Sequence, residues 1–242
     1  MQPAAANTLT EHYKDYFATA EQLDWYRLMA VDKADNVILL SKDVPHESIL
    51  DIGAGDGAVL NRLDHLGFGS KLYAVDISES GLKALREKSW KRLVECKPFD
   101  GYNIPYPDDS FDLAVLSHVV EHVEHPRMLL REAARVARHV YIEVPLENNR
   151  SNRHRLRKDF ILDATGHINF YSPDLIRLLV QSTGLRVVRQ EIRHFTPKAY
   201  TRHAGRKGLI KYAIKEAAYR INHRWAASIF NYHFGLLCTR HK

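Results

Sequence analysis

The stretch SILDIGAGDGAVLNRL, residues 48–63, places three glycines at alternate positions directly after a short apolar run. Ile49, Leu50 and Ile52 read as a buried strand, and Ala58, Val59, Leu60 and Leu63 as the first turns of a helix, so Gly53, Gly55 and Gly57 occupy the junction. Glycine lacks Cβ and tolerates positive φ, so a ligand can lie against the main chain where the strand ends and the helix presents its free N–H groups. In an open parallel sheet this first strand-to-helix turn is where a ligand is held, outside the carboxyl ends of the strands.

The rest of the chain continues that rhythm. Strands are expected at 48–52, 71–77, 92–98, 111–118, 139–145, 185–195 and 232–240, with helices at 57–66, 79–88, 126–138 and 173–183 between them. Ser172, Pro173 and Gly184 supply cap, first-turn and stop signals for the last of these helices. Helices at 10–18 and 22–41 precede the first strand. The 242 residues, 45% hydrophobic and 26% charged, suit one α/β domain and are short for two. The expected architecture is a Rossmann-like, seven-stranded, mostly parallel sheet with helices on both faces and an antiparallel last strand. Within a single domain over 1–242, residues 1–44 form a helical cap and 45–195 a ligand-binding core, while 146–171 and 197–231 are insertions on the acceptor side.

The acids around the turn narrow the ligand. The pattern is Asp51-x-Gly53-x-Gly55-x-Gly57, not the G-x-G-x-x-G spacing of a dinucleotide site. An acid beside the loop suits a cationic ammonium or sulfonium group better than a pyrophosphate. Asp76, closing the second strand, is placed to accept from two ribose hydroxyls. Asp100, after the third strand, can accept from an adenine amino group or can simply order the turn FDGYN.

The segments ILDIGAGDG, YAVDIS, DGYNIPYPDDSFDLAVLSHVVEHV and GHINFYSPDLIRLLVQSTGL, in that order over about residues 45 to 195, resemble a class I S-adenosylmethionine-dependent methyltransferase. The resemblance implies S-adenosylmethionine as cofactor. Asp51, Gly53, Gly55 and Gly57 would hold its methionine part, Asp76 its ribose, and Asp100 with Gly101 its adenine, with Ala54, Ile77 and Ser117 completing the set. The sulfonium is an activated methyl donor, so the protein has mainly to align an acceptor and exclude water.

Catalytic groups are expected after the fourth strand, in SHVVEHV. His118 is the candidate general base, with a neutral hydrogen-bonding histidine as the alternative. The pair Glu121-His122 reads first as a loop-ordering element. No metal is expected, but His118, Glu121, His122 and His167 offer a nitrogen and oxygen donor set. It is similar to the E-x-x-E-H arrangement and distant histidine of small-RNA terminal 2′-O-methyltransferases, except that a histidine takes the first position.

The basic tract 148–160, with Arg150, Arg153, Arg155, Arg157 and Lys158, would meet a phosphate or carboxylate on the acceptor, or is a solvated loop. Tyr13, Tyr16 and Trp25 would cover the cofactor or pack in the core. The expected reaction is O-methylation of a small-molecule or glycan hydroxyl, phosphate-bearing or lipid-linked. The alternatives are N-methylation, an RNA-end 2′-O-methyltransferase, and a cofactor-binding scaffold without catalysis. No RNA-binding module is recognisable, so a large nucleic acid is not expected as partner. The apolar stripe Ile210, Ile214, Ala217, Ile221, Trp225 and Ile229 in a helix over 207–230 needs a surface to cover: the protein's own sheet, a second subunit in a homodimer rather than a monomer, or an anionic membrane. Cys96 and Cys238 have no paired spacing and read as free thiols of a cytoplasmic protein. Neither a secretion signal nor an apolar run near the roughly 20 residues of a membrane span is evident.

Overall fold

The computed structural model describes residues 20–152 and 166–240. The expected helix at 10–18 with Tyr13 and Tyr16, the basic residues Arg153, Arg155, Arg157 and Lys158, and the side chain of Trp25 lie outside the described residues.

The elements follow in the order α1 (Ala20–Ser41), β1 (Ser48–Ile52), α2 (Ala58–Leu66), β2 (Lys71–Asp76), α3 (Glu79–Arg86), β3 (Leu93–Pro98), β4 (Phe111–Ser117), α4 (Pro126–Val136), β5 (Ala137–Pro145), α5 (Pro173–Gln181), β6 (Leu185–Arg193), α6 (Pro197–Ile221), α7 (His223–Ile229) and β7 (His233–Arg240). They build one seven-stranded sheet in the order β3-β2-β1-β4-β5-β7-β6, with β7 antiparallel to both β5 and β6 and the other pairs parallel.

The apolar runs of the strands are continuous because both sheet faces are covered, and successive residues go to opposite faces. Leu50, Ile52, Ala114, Leu116, Val140 and Ile142 pack in one core with Leu129, Leu130 and Ala133 of α4 and Ile176 and Val180 of α5. Ile49, Leu113, Val115 and Tyr141 pack in the other with Ala34 and Val37 of α1, Leu60 and Leu63 of α2, and Leu85 of α3. Residues 22–41, expected as a helix of the N-terminal cap, form most of α1. It packs on α2 and on β5, β6 and β7. A Cβ on Gly235 would lie 2.8 Å from Leu40 of α1.

Three sequence expectations are corrected. The helix expected over 126–138 stops at Val136, because Ala137 is already paired with Phe111 in the sheet. The strand expected to reach 195 ends at Arg193, after which α6 begins at Pro197. The single helix expected over 207–230 is two helices, since Asn222 is extended (φ −162°, ψ 107°) and its side chain accepts from Trp225 N to cap α7. Helix α6 is itself broken at Gly205 (φ 51°, ψ −134°). Among the described residues no helix is long and apolar enough to cross a membrane.

Candidate active site

The strand order reverses between β1 and β4, so the crevice for a ligand opens at their carboxyl ends. The turns after β1, β2, β3, β4 and β5 all lie on this edge because these strands are parallel.

The β1–α2 turn is built as the sequence suggests. Gly53, Gly55 and Gly57 have φ of 73°, 56° and 74°, a region that L side chains rarely occupy. Gly53 N and Ala54 N both donate to Val75 O, at 2.8 and 3.2 Å, which ties the turn to β2. A Cβ on Gly53 would lie 2.7 Å from Val119, so the glycine lets the turn close against the segment after β4. Asp76 does more than wait for a ligand. Its carboxylate accepts from Gly55 N at 2.6 Å and from Ser78 N at 2.7 Å, holding the glycine turn and the start of α3 together. Ile77 N contributes a third backbone bond, and a carboxylate has about four acceptor positions, so capacity remains for a hydroxyl donor.

Asp51 is buried beneath the same turn. Burial pushes its carboxyl up to about 7, repulsion from Asp76 adds to this, and Lys33 on α1 opposes it. Asp100 follows β3 and accepts from Tyr102 N at 2.8 Å and Asn103 N at 2.6 Å, the turn-ordering geometry that the sequence left open for it. Gly101 and the exposed Ile77 face one another, since a Cβ on Gly101 would lie 3.7 Å from the Ile77 side chain. Ser117, the last residue of β4, has a buried hydroxyl with no partner among the described residues.

His118 adopts φ 61°, uncommon for a side-chain-bearing residue and a feature that clusters at functional sites. Its backbone N donates to Glu143 O at 2.9 Å, and its Nε2 lies 2.7 Å from His233 Nδ1 and 3.3 Å from Glu143 Oε1. Glu143 is fully buried. Its other oxygen accepts from Tyr141 OH at 2.5 Å and Asn36 Nδ2 at 3.3 Å, and Asn36 in turn accepts from Arg193 at 2.9 Å. On its other edge, His118 Nδ1 approaches Glu121 Oε1 to 3.2 Å, but outside hydrogen-bonding angles, so both oxygens of the buried Glu121 lack a directed bond.

Burial and Lys33 both disfavour an imidazolium at His118, yet the contacts with Glu121 and Glu143 outweigh them and raise its pKa. Burial would raise the two carboxyls, but the histidines around them hold Glu121 at about 2 and Glu143 well below the usual range. His233 is driven down to about 3, first by burial, and so is neutral. The His118 side chain keeps 14% of its surface exposed, at the carboxyl end of β4.

The four candidate metal ligands therefore separate. His118 sits with Glu143 and His233, whereas Glu121, His122 and His167 bring one ligand atom each within 4.8 Å of one another. His122 Nδ1 lies 3.1 Å from Gly166 O and His167 Nδ1 lies 2.6 Å from Glu147 Oε2. Burial lowers the His122 pKa to about 4.

Lys33, Asn36, Glu143 and His233 were not picked out from the sequence. A charge inside the apolar run HVYIEVP was the one available signal, and it marks Glu143.

A sheet of this order with an antiparallel seventh strand, a glycine turn at the switch point and an acid closing β2 defines a Rossmann-like transferase of the class I methyltransferase type. Residues 25–190 match the family described as methyltransferase domain, and the chain belongs to that family. It is an S-adenosylmethionine-dependent enzyme. The chain is 29% identical over 141 residues to the malonyl-[acyl-carrier protein] O-methyltransferase of Halorhodospira halophila, covering 56% of this chain and 48% of that protein. It is 29% identical over 94 residues to the demethylmenaquinone methyltransferase of Corynebacterium glutamicum, covering 39% and 38%. The chain thus spans about half or less of these curated relatives' length. Its fold matches that of magnesium protoporphyrin IX methyltransferase from Synechocystis PCC 6803 with bound S-adenosylhomocysteine. The TM-score is 0.58 at 14% identity, over 98% of this chain and 95% of that one.

Proposed function

We propose that this methyltransferase transfers the methyl group to a hydroxyl oxygen of a small-molecule or glycan acceptor, with His118 as the general base. The observation that carries the reading is a partly exposed imidazole at the end of β4, between the buried carboxylates of Glu121 and Glu143. Glu143 with His233 holds Nε2 and fixes the ring's orientation, so Nδ1 is the nitrogen left to take the acceptor's proton, and the two carboxylates stabilise the imidazolium that results. S-adenosylmethionine supplies an electrophilic methyl group, so the chain's own task is to align the acceptor, take its proton and keep water out. A relative that methylates oxygen supports the choice of atom. Arg150, exposed just beyond β5, suits an acceptor that carries phosphate, free or on a lipid.

In this reading Asp51 faces the cationic methionine part, the turn at Gly53, Ala54, Gly55 and Gly57 lies along it, and Asp76 takes the ribose hydroxyls. Ile77 and Gly101 flank the adenine, Asp100, which also accepts from the Asn103 side chain, shapes that pocket while keeping an acceptor position for the amino group, and Ser117 supplies the unpaired hydroxyl.

The test is methyl transfer from tritiated S-adenosylmethionine to separate pools of alcohols and phenols, nucleotide-linked sugars, lipid-linked glycans, amines and short RNA. Label is expected in one of the hydroxyl pools. Label confined to amines or RNA would overturn the oxygen or small-acceptor assignment, and cofactor binding with no transfer to any pool would favour a scaffold.

One observation favours a second reading, in which a divalent ion assists. Glu121 is fully buried with two oxygens that make no hydrogen bond, beside His122 and His167. Two imidazoles and a carboxylate suit zinc or iron better than magnesium, and the Nδ1 contacts of both histidines would orient the Nε2 atoms as ligands. Such an ion would polarise the acceptor oxygen. Activity lost on chelation and restored by added ion would establish this reading; unchanged activity would remove it.

Asp51 gives a pH-dependent expectation. With a folded-state pKa raised to about 7, it is partly protonated at neutral pH, and a cationic ligand stabilises its ionised form. Cofactor binding near pH 7 should therefore release protons, and affinity should rise as pH climbs through that value. Calorimetry in buffers of different ionisation enthalpy reads the release directly, and Asp51→Asn should abolish it. Binding with no proton release in the wild type would separate Asp51 from the cationic group.

A further inference from the structure

The segment 197–229 carries eight basic residues and one acid, a charge of +7, against +6 for the whole chain. The protein's basicity is therefore concentrated in α6 and α7. Their inward side is built from Gly208, Lys215, Ala218, Tyr219, Ala226 and Ala227. Lys215, which the sequence pattern aligns with Lys207 and Lys211, instead points inward, with its ammonium on Asn231 O at 2.5 Å, on Tyr200 OH and over the Tyr232 ring. Tyr219 OH donates to Ile192 O at 2.6 Å, and Arg150 N and Ser151 N donate to Ser228 O and Ile229 O. This side is fixed to β6 and to the loop after β5 by polar contacts.

The outward side carries the apolar stripe. Ile210 is 63% exposed, Ile214 56%, Ile221 79% and Trp225 51%, with Leu209 at 46% beside them. Such a stripe needs a surface to cover, and among the described residues the protein's own sheet does not provide it. Ile210, Ile214, Ala217 and Ile221 fall within one narrow arc of α6 at 100° per residue. Arg206 and Arg220 lie to one side of the arc and Lys207 and Lys211 to the other, while Arg224 neighbours Trp225 on α7. All five basic residues are exposed. The single acid, Glu216, is half-buried and held by His194 and Arg220.

We infer that this face docks on the surface of a bilayer containing anionic lipid, with the isoleucines and Trp225 in the headgroup boundary and the flanking arginines and lysines on lipid phosphates. An apolar stripe without charge would fit a second protein equally well. An arc flanked on both sides by arginine and lysine, with no free acid, would repel a second copy of itself across a two-fold axis. It complements a negatively charged surface. The site lies on the opposite side of α6 and α7 from the contacts that join them to the core, so docking leaves those contacts in place. The inference does not depend on which acceptor is methylated.

The experiment is flotation of the full chain with phosphatidylcholine vesicles, with and without phosphatidylglycerol, at low and high salt. Association is expected only with the anionic vesicles and should weaken with salt, because exposed charges more than a Debye length apart are screened. Lys207→Gln with Lys211→Gln should weaken partitioning by about fivefold for each charge removed, and Ile214→Asp with Ile221→Asp should abolish it. Calorimetric cofactor binding confirms that each variant is folded. Three results would overturn the inference: no flotation with anionic vesicles, equal flotation with neutral ones, or a dimer in solution that Ile214→Asp dissociates. The last would assign the face to a second copy.

Discussion

Replacing His118 with alanine should lower turnover by at least about 100-fold, because a positioned base typically contributes roughly 10² to 10⁴ in rate. Cofactor affinity should change little, since none of the contacts that hold the glycine turn passes through the imidazole. Glu143→Gln is expected to lower kcat with little effect on cofactor binding, because it removes the charge that holds His118 and His233 in place while keeping the hydrogen bonds of Tyr141 and Asn36. Turnover by His118→Ala within a factor of a few of the wild type would reduce this histidine to a structural role. Glu121→Gln and His167→Ala are the controls for the ion-assisted reading. Loss of activity in both, together with sensitivity to chelators, would replace the base with the ion.

Asp76→Ala should weaken S-adenosylmethionine binding by about 1.5 to 3 kcal/mol, the range for charge-assisted hydrogen bonds to an ionised partner. The structure adds a reason for the upper end of that range. The same carboxylate holds Gly55 N and Ser78 N, so its removal frees the glycine turn as well as the ribose hydroxyls. Asp76→Asn should not rescue it fully, because an amide has one acceptor oxygen and would aim N–H groups at a backbone donor. The measurement is calorimetric affinity alongside thermal unfolding. A folded Asp76→Ala protein with wild-type affinity would remove Asp76 from the cofactor site.

The cofactor half of the site was legible because it is local. A ligand that lies along a strand-to-helix turn needs its glycines and acids within a few residues of a strand end, so Asp51-x-Gly53-x-Gly55-x-Gly57 and Asp76 are contiguous signals at fixed offsets. The alternation of apolar runs was legible for a related reason. A sheet covered on both faces demands unbroken apolar strands, and helices of one-sided apolarity between them.

What surrounds His118 was not legible, because its partners come from separate parts of the chain. Asn36 reaches Glu143 from 107 residues away and His233 meets His118 across 115, and each looks unremarkable among its own neighbours. The pairing of β4 with β5 and of β5 with β7, together with the packing of α1 on β5 and β7, brings them to one point. The same holds for the direction of the last helices. Periodicity determined that 207–230 has an apolar stripe, but a period gives a face relative to the helix axis and not relative to the sheet. The tertiary structure decided that Lys215, Tyr219 and Ala218 turn inward and that Ile210, Ile214 and Ile221 turn out. It did so because β6 and the residue pair before β7 offer backbone carbonyls there, those of Ile192 and Asn231, and Tyr200 a hydroxyl, which a tyrosine and a lysine can satisfy and an isoleucine cannot.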